Sequence, residues 1–384
     1  MSNKDNFLEN KIIVIDNGSV NTYIGYAGED QPRYSFPTRI GKSRFEIIKS
    51  AYKPRYGDYY VGLETSQMES VLNFEYPIKN GIIKDWNGMK KIWKYIFYEL
   101  LRIDPELHPI FLSEPSILPM NYREKIVEIM FEQFNVPAIY FYRQSIASLF
   151  AAGLTTGCVV NLGGGNSTID LIEEGFPIPN KIRRFDINGN EISNHLKKIL
   201  IKNGNKFDPF LEWNIVNNIK ENYCFIALYP EREKQISEKA EYIIKNYTLP
   251  NGETIKINEE RFIAPECIFK PQMIGYKSDP LEEIIIEVIS ECKTEVQSDL
   301  FKKIILTGGT SLFPTLKERL RMEIQKKIYK PMDVNIIANP ERIYLTWIGG
   351  SIWADLSTSR RKEFWITPQE YKEKGALGLY SKLI

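Results

Sequence analysis

Three short segments carry residue types that could do chemistry. In the first, the apolar run Lys11-Ile12-Ile13-Val14-Ile15 ends in Asp16-Asn17-Gly18-Ser19. In the second, about 145 residues later, Cys158-Val159-Val160 ends in Asn161-Leu162-Gly163-Gly164-Gly165-Asn166-Ser167-Thr168. In the third, Ile304-Ile305-Leu306 leads into the glycine turn Gly308-Gly309-Thr310. The first two are buried-strand runs closed by a polar residue, a glycine turn and a hydroxyl residue. Turns of this kind expose backbone N–H groups, and clustered N–H groups bind phosphate oxygens. Two related loops facing one another would grip a polyphosphate from both sides, so the repeat predicts a nucleotide-binding clamp.

The elements around these turns alternate between strands and helices. Lys11 to Ala27 reads as two strands joined by a turn, with Asn21 to Tyr26 alternating around Gly25. Asp85 is the expected N-cap of a helix to Leu101, because Met89, Ile92, Trp93, Ile96 and Phe97 recur at three- and four-residue steps. Pro109–Leu112 and Ala138–Phe141 read as strands, Tyr122–Phe134 and Gln144–Ala152 as helices. The same plan restarts at Cys158, which predicts an α/β protein with helix-flanked sheets. The stretch from Glu191 to Ile263 is charged and mostly helical, with a hairpin turn at Pro250-Asn251-Gly252. Further helices are expected over Leu281–Cys292 and Leu316–Lys327, and Tyr344–Ser357 is an apolar, small-residue segment. Pro37 to Asp58 mixes lysines, arginines and tyrosines with weak periodicity and is expected to be an exposed, mobile loop.

Bulk properties narrow the function classes. The 384 residues are 43% hydrophobic and 26% charged, the profile of a soluble globular chain. Fifty basic side chains against 49 acidic ones give +1, which argues against wholesale attraction to nucleic acid. Two histidines, His108 and His195, exclude a histidine-rich zinc or catalytic centre. The four cysteines are too far apart in sequence for a metal knuckle and are expected to be reduced core thiols. Met1 to Asn10 is polar and does not read as a signal peptide. No apolar run approaches the ~20 residues that would span a bilayer, so no membrane insertion is expected.

Several segments together make the resemblance specific. Asp16-Asn17-Gly18-Ser19, Tyr60-Val61-Gly62, Tyr76-Pro77-Ile78, Arg123-Glu124-Lys125, Leu306-Thr307-Gly308-Gly309-Thr310, Trp347-Ile348-Gly349-Gly350-Ser351, Trp365-Ile366-Thr367 and Gln369-Glu370-Tyr371 occur in that order. By their order and spacing the chain resembles actin and the actin-related proteins along almost its whole length, close to conventional actin and centractin in size. The resemblance implies the clamp fold shared with the heat-shock-chaperone ATPases, two similar α/β lobes with a nucleotide cleft between them. It assigns residues 1–37, 77–151 and 345–384 to a first subdomain and 38–76 to a second, with an outer loop at 41–59. Residues 152–187 and 277–344 form the third and 188–276 the fourth.

The resemblance also assigns site residues. The cofactor it implies is ATP or ADP with Mg²⁺ or Ca²⁺. Asp16 holds the metal through water, a sensible task for a carboxylate because Mg²⁺ keeps several waters. Gly18, Ser19, Val20 and Asn21 belong to the first phosphate loop, and Gly163, Gly164, Gly165 and Asn166 to the second. Gln144 matches the glutamine that positions the attacking water. Lys220 and Glu221 match the pair that reaches base and ribose. Gly308, Gly309 and Thr310 form the turn below adenine, where Phe313, with Leu312, keeps an apolar wall and Ile343 replaces a lysine. Other departures are sharper. Tyr23 stands among the residues where actins carry a phosphate-facing lysine. Asn161 and Gly164 stand where actins carry two aspartates, and Thr168 replaces a histidine that orders water. The glycine-rich second loop is closer to bacterial actin homologues and heat-shock chaperones, which keep an aspartate where Asn161 stands. An amide hydrogen-bonds water but brings no negative charge. Phosphoryl transfer depends on positioning and charge, so binding should survive these changes better than hydrolysis.

The family's assembly surfaces are altered too. The tip loop Gly41–Tyr59 carries Phe45, Tyr52, Arg55 and Tyr56, the segment Met273–Pro280 contains a stiffening proline, Asn80 replaces a histidine, and Gly378–Ile384 lacks the usual actin ending. The expectation is a structural subunit of a cytoplasmic, cytoskeletal assembly with weak or absent ATP hydrolysis, whose partners are other actin-fold subunits or cytoskeletal complex proteins and not nucleic acid. The alternatives are a polymerising actin with an active ATPase cycle and a subunit of a nuclear chromatin-remodelling complex. A sugar or acetate kinase of the same superfamily is disfavoured by the actin-like segments outside the cleft.

Overall fold

The computed structural model describes residues 8, 10–119, 121–209, 211–239, 244–328, 332–357 and 362–380. Most of Met1–Asn10 and the last four residues of the Gly378–Ile384 ending lie outside the described residues. The chain divides into two compact units: residues 1–155, 172–177 and 344–384 form the first, and 156–171 with 178–343 the second.

The first unit opens on the hairpin β1 (Ile13–Asn17) and β2 (Asn21–Tyr26), registered with Ile13 opposite Tyr26 and Asn17 opposite Thr22. The adjacent strand β3 (Tyr34–Pro37) pairs antiparallel with β2. A small sheet follows, in the order β5-β4-β6, from β4 (Ile40–Ser43), β5 (Tyr59–Val61) and β6 (Leu72–Glu75), with helices α1 (Glu46–Ala51) and α2 (Leu63–Gln67) between its strands. The ribbon β7 (Ile78–Lys79) and β8 (Ile82–Ile83) leads to α3 (Trp86–Lys94). Asp85 caps that helix as expected, its carboxylate accepting the Gly88 N–H at 3.0 Å. Then β9 (Ile110–Glu114), α4 (Tyr122–Gln133), β10 (Ile139–Arg143) and α5 (Gln144–Ala151) complete the α/β part, with β9 parallel to β1 and β10 parallel to β9. The sheet order is β10-β9-β1-β2-β3. Because β1 is flanked on both sides and covered on both faces, Ile13, Val14 and Ile15 are fully buried, which is why the run is apolar without alternation.

The second unit repeats the wiring. Its strands β11 (Gly157–Leu162), β12 (Ser167–Glu173) and β13 (Phe176–Phe185) precede helices α6 (Gly189–Lys202), α7 (Glu212–Tyr223) and α8 (Pro230–Lys239). The hairpin β14 (Lys245–Thr248) and β15 (Thr254–Ile257) turns at Gly252, whose φ of 88° suits glycine. Helices α9 (Glu260–Ile263), α10 (Leu281–Ser290) and α11 (Thr294–Lys302), strand β16 (Ile304–Thr307), helix α12 (Leu316–Lys327) and strand β17 (Ile336–Ile337) follow. The sheet order β13-β12-β11-β16-β17 matches the first sheet strand for strand, with β11, β16 and β17 parallel. Helices α13 (Leu345–Ser357) and α14 (Pro368–Tyr380) return to the first unit. There the Trp347 indole N–H donates to the Val14 carbonyl at 3.0 Å, and Gly349 lies so close to the Ala147 backbone of α5 that any Cβ would collide with it.

Each unit has its own apolar core. Ile15, Ile24, Trp93, Phe97, Leu112 and Val127 belong to the first, and Val160, Ile169, Val216, Ile285, Leu306 and Leu320 to the second. Cys158, Cys224 and Cys267 are buried, Cys292 is half-buried, and all four are free thiols. Among the described residues no helix is long and apolar enough to cross a membrane.

Two local expectations need correction. Pro37–Asp58 is not one irregular loop: it contains β4 and α1, because β4 gains its hydrogen bonds from β6, some thirty residues on, which no local pattern reveals. Its far end is tied down as well. Arg55 pairs with Glu99, and the Tyr60 hydroxyl donates to the Tyr52 carbonyl. The Asp85–Leu101 helix, in turn, widens into a π-helix over Tyr95–Leu101. At its start the Tyr95 ring packs against Gly62 and the Tyr95 hydroxyl accepts the Leu63 N–H at 3.3 Å, so the widened turn is where α3 meets the small sheet.

Candidate functional site: two glycine hairpins

The first hairpin turns over Gly18–Val20. The Gly18 N–H donates to the Asn21 carbonyl at 3.0 Å. A Cβ on Gly18 would sit 2.6 Å from that same oxygen, so the turn closes only without a side chain. The N–H groups of Ser19 and Val20 donate to nothing among the described residues. The Ser19 hydroxyl accepts the Gly81 N–H at 3.0 Å and keeps its own proton for another acceptor. Val20 is exposed and Asn17 presents a buried Oδ1 without a partner.

Asp16 ends β1 at the base of this turn and is 6% exposed. The Ser113 hydroxyl donates to its Oδ1, and the Gln144 amide donates to the same oxygen at 3.1 Å. Ser113 follows Leu112, the residue opposite Ile15 in the parallel ladder, and Gln144 is the first residue of α5. Burial raises the Asp16 pKa above the ordinary carboxylate value, and the hydrogen bonds from Ser113 and Gln144 oppose that rise. Tyr23 is buried and packs edge-on against Tyr344, with ring centres 5.2 Å apart.

The second hairpin has the same closure. The Gly163 N–H donates to the Asn166 carbonyl at 2.9 Å, and a Cβ on Gly163 would lie 2.5 Å from that oxygen. The N–H groups of Gly164 and Gly165 donate to nothing among the described residues. Asn161 lies opposite Thr307 in the β11–β16 ladder. The third turn begins there: Gly308 has φ 87° and ψ 157°, and its missing Cβ would meet the Leu162 carbonyl at 2.5 Å and the Asn161 Oδ1 at 2.7 Å. Thr310 then donates to the Gly163 carbonyl at 2.9 Å. The start of α6 locks the other side, with Gly189 N–H donating to the Gly163 carbonyl at 3.0 Å and Asn190 N–H to the Gly164 carbonyl at 2.8 Å. Thr168 donates to Asp170 at 2.8 Å, both side chains being buried.

Lys220 donates to Ser193 Oγ at 2.9 Å, Asn217 Oδ1 at 3.0 Å and the Gly189 carbonyl at 3.3 Å. Burial lowers its pKa, with Glu221 acting in the opposite sense. Glu221 itself is exposed. Phe313 is buried, and Ile343 is half-buried, its Cδ1 lying 4.0 Å from where a Gly309 Cβ would stand. The fold therefore gathers Asp16, Gly18, Ser19 and Gln144 in the first unit, and Gly163, Gly164, Gly308, Thr310 and, through Gly189, Lys220 in the second. Glu221, the next residue along α7, is exposed and acts on Lys220 through its charge. Ser113, Asn188 and Gly189 escaped the sequence reading. Ser113 had one available signal, a hydroxyl directly after the buried run Ile110–Leu112.

The donor sets can be tested against the groups implied above. Four unpaired N–H groups in two turns, each too tight for a Cβ, suit phosphate oxygens. Among the described residues no three acidic, histidine or cysteine side chains converge to hold a bare ion. A cation at Asp16 would thus be held by one carboxylate, with water or phosphate oxygens completing its shell, which fits Mg²⁺.

The chain is built from two α/β sheets of matching strand order, each carrying a glycine hairpin with the same closure. A family model described as Actin matches residues 7–382, and the chain belongs to the actin family.

Proposed function

We propose that this protein binds ATP or ADP with Mg²⁺ (Ca²⁺ in its place), hydrolyses ATP slowly or not at all, and serves as a structural subunit of a cytoplasmic, cytoskeletal assembly built with other actin-fold subunits. The observation that carries the reading is the set of unpaired N–H groups at Ser19, Val20, Gly164 and Gly165. Ser19, Gly164 and Gly165 are buried or half-buried, where backbone donors without partners are rare, and a polyphosphate would satisfy them together with the exposed Val20 N–H. When bound, the metal would neutralise phosphate charge.

The chain's own residues divide into those suited to binding and those unsuited to turnover. Asp16 keeps the carboxylate beneath the first hairpin. Asn161 supplies an amide where a carboxylate would polarise water. The Tyr23 ring is engaged with Tyr344 and carries no charge to the phosphates. The Thr168 hydroxyl is engaged with Asp170. Catalysis of phosphoryl transfer rests on charge and alignment, and these are the properties that have been lost.

Purified protein mixed with a fluorescent ATP analogue, followed by a single-turnover phosphate-release assay, tests both parts. Saturable binding with release far below that of conventional actin is expected. No binding overturns the nucleotide reading, and release at a conventional actin rate overturns the claim of weak hydrolysis.

A further inference from the structure

The arrangement around Asp16 contains a residue with no assigned role. Two donors, the Ser113 hydroxyl and the Gln144 amide, converge on one carboxylate oxygen, Oδ1. Gln144 also approaches the Ser113 Oγ at 3.5 Å, and the buried Tyr142, opposite Ser113 in the β9–β10 ladder, adjoins the same group. Oδ2 receives no hydrogen bond from a described residue. A carboxylate held by one oxygen cannot rotate freely, and its other oxygen is left to a ligand. Ser113 is buried in β9 and Gln144 starts α5, so both donors stand on regular elements rather than on a loop.

The second unit shows that this is not a by-product of the repeated wiring. Its equivalent pair, Asn161 and Thr307, faces across the same ladder register. There the Thr307 hydroxyl donates to the Arg342 carbonyl at 3.1 Å. A hydroxyl at this ladder position is thus free to bond elsewhere, and in the first unit it bonds to Asp16.

We infer that Ser113 is a positioning residue, which with Gln144 pins Asp16 by Oδ1 so that Oδ2 is presented to a hydrated divalent cation. The inference rests on the nucleotide–cation reading above. Outer-shell donors of this kind orient a metal-holding carboxylate and tune its affinity. Ser113 touches neither nucleotide nor reacting atoms in this role.

The test uses the full chain and a fluorescent ATP analogue, titrated with Mg²⁺ and, separately, in EDTA. Ser113→Ala should raise the Mg²⁺ concentration giving half-maximal retention by about tenfold, the change expected on losing a hydrogen bond to a charged group. Affinity in EDTA should stay within about twofold of the parent, since the backbone cradle of the hairpin is untouched. Ser113→Thr, which keeps the hydroxyl, should restore the parental Mg²⁺ requirement and also controls for folding. In an Asp16→Asn background, Ser113→Ala should add nothing further, because the two act through one carboxylate. Equal weakening with and without Mg²⁺ would make Ser113 merely structural, and an additive effect in the Asp16→Asn background would remove the coupling. A parent protein that retains no nucleotide overturns the functional reading as well, whereas parental binding with an unchanged Ser113→Ala requirement overturns only the role of Ser113.

Discussion

The hairpins at Gly18 and Gly163 share a turn and differ in the side chains that serve it. Both close by the same N–H to carbonyl bond, at 3.0 and 2.9 Å, and both exclude a Cβ by the same oxygen. Beneath the first lies a buried carboxylate held by a hydroxyl and an amide. Beneath the second lies the carboxamide of Asn161, and the turn is held instead by Thr310 and the start of α6. A phosphate cradle is a backbone property, so it tolerates wide change in the surrounding side chains. Handling a cation or a water molecule is a side-chain property, and the carboxylate suited to it, Asp16, stands in one copy only, with Asn161 in the other.

The largest effect should come from the turn that the first unit lacks. Gly308→Ala combines a backbone conformation open almost only to glycine with a collision at the Leu162 carbonyl, a cost of about 3 kcal/mol or more in denaturant unfolding. A neutral Gly308→Ala would mean that this turn does not hold the second hairpin. Gly18→Ala and Gly163→Ala should each cost about 1–3 kcal/mol, and by similar amounts, since the blocked space is the same. Clearly unequal costs in the same unfolding measurement would break the equivalence of the two hairpins.

Asn161→Asp would make the second hairpin resemble the first. It should raise single-turnover phosphate release by at least about tenfold, the lower end of what a correctly placed acid–base group supplies. An unchanged rate would locate the deficit at Tyr23 or Thr168 instead.

The smallest effect concerns acid. His195, on the helix whose start locks the Gly163 hairpin, has a pKa lowered by burial, and its Nδ1–H donates to the Ala264 carbonyl at 3.1 Å. Its folded pKa is below the unfolded one, so the unfolded chain binds the proton first as pH falls. Stability is therefore full above the ordinary histidine value near 6.5 and declines as pH falls toward the folded pKa. His195→Gln should flatten that decline in thermal melts between about pH 7 and 5. An identical slope in the variant would remove His195 as the cause.

Much of this arrangement was legible before any coordinates. The runs Ile12–Ile15 and Cys158–Val160, each stopped by a polar residue and glycine, are local patterns, and both became strand–turn hairpins. Asp85 as a cap and Gly252 as a hairpin turn were equally local. The segment 37–58 was not legible, since a three- or four-residue strand is too short to show its period and depends on a distant partner for its bonds. The three hydrogen bonds of Lys220, to Gly189, Ser193 and Asn217, are equally illegible in the sequence, because those acceptors converge only when α6 packs beside α7.

The two glycine hairpins could be read from short stretches, because a glycine's missing Cβ and a strand's apolar run act within a few residues, and the actin family from the order of such stretches along the chain. Only the tertiary structure decided that Ser113 and Gln144 meet Asp16. They are brought there by parallel crossovers of a hundred residues or so, and the ladder register that sets one hydroxyl beside one carboxylate is written in no local pattern.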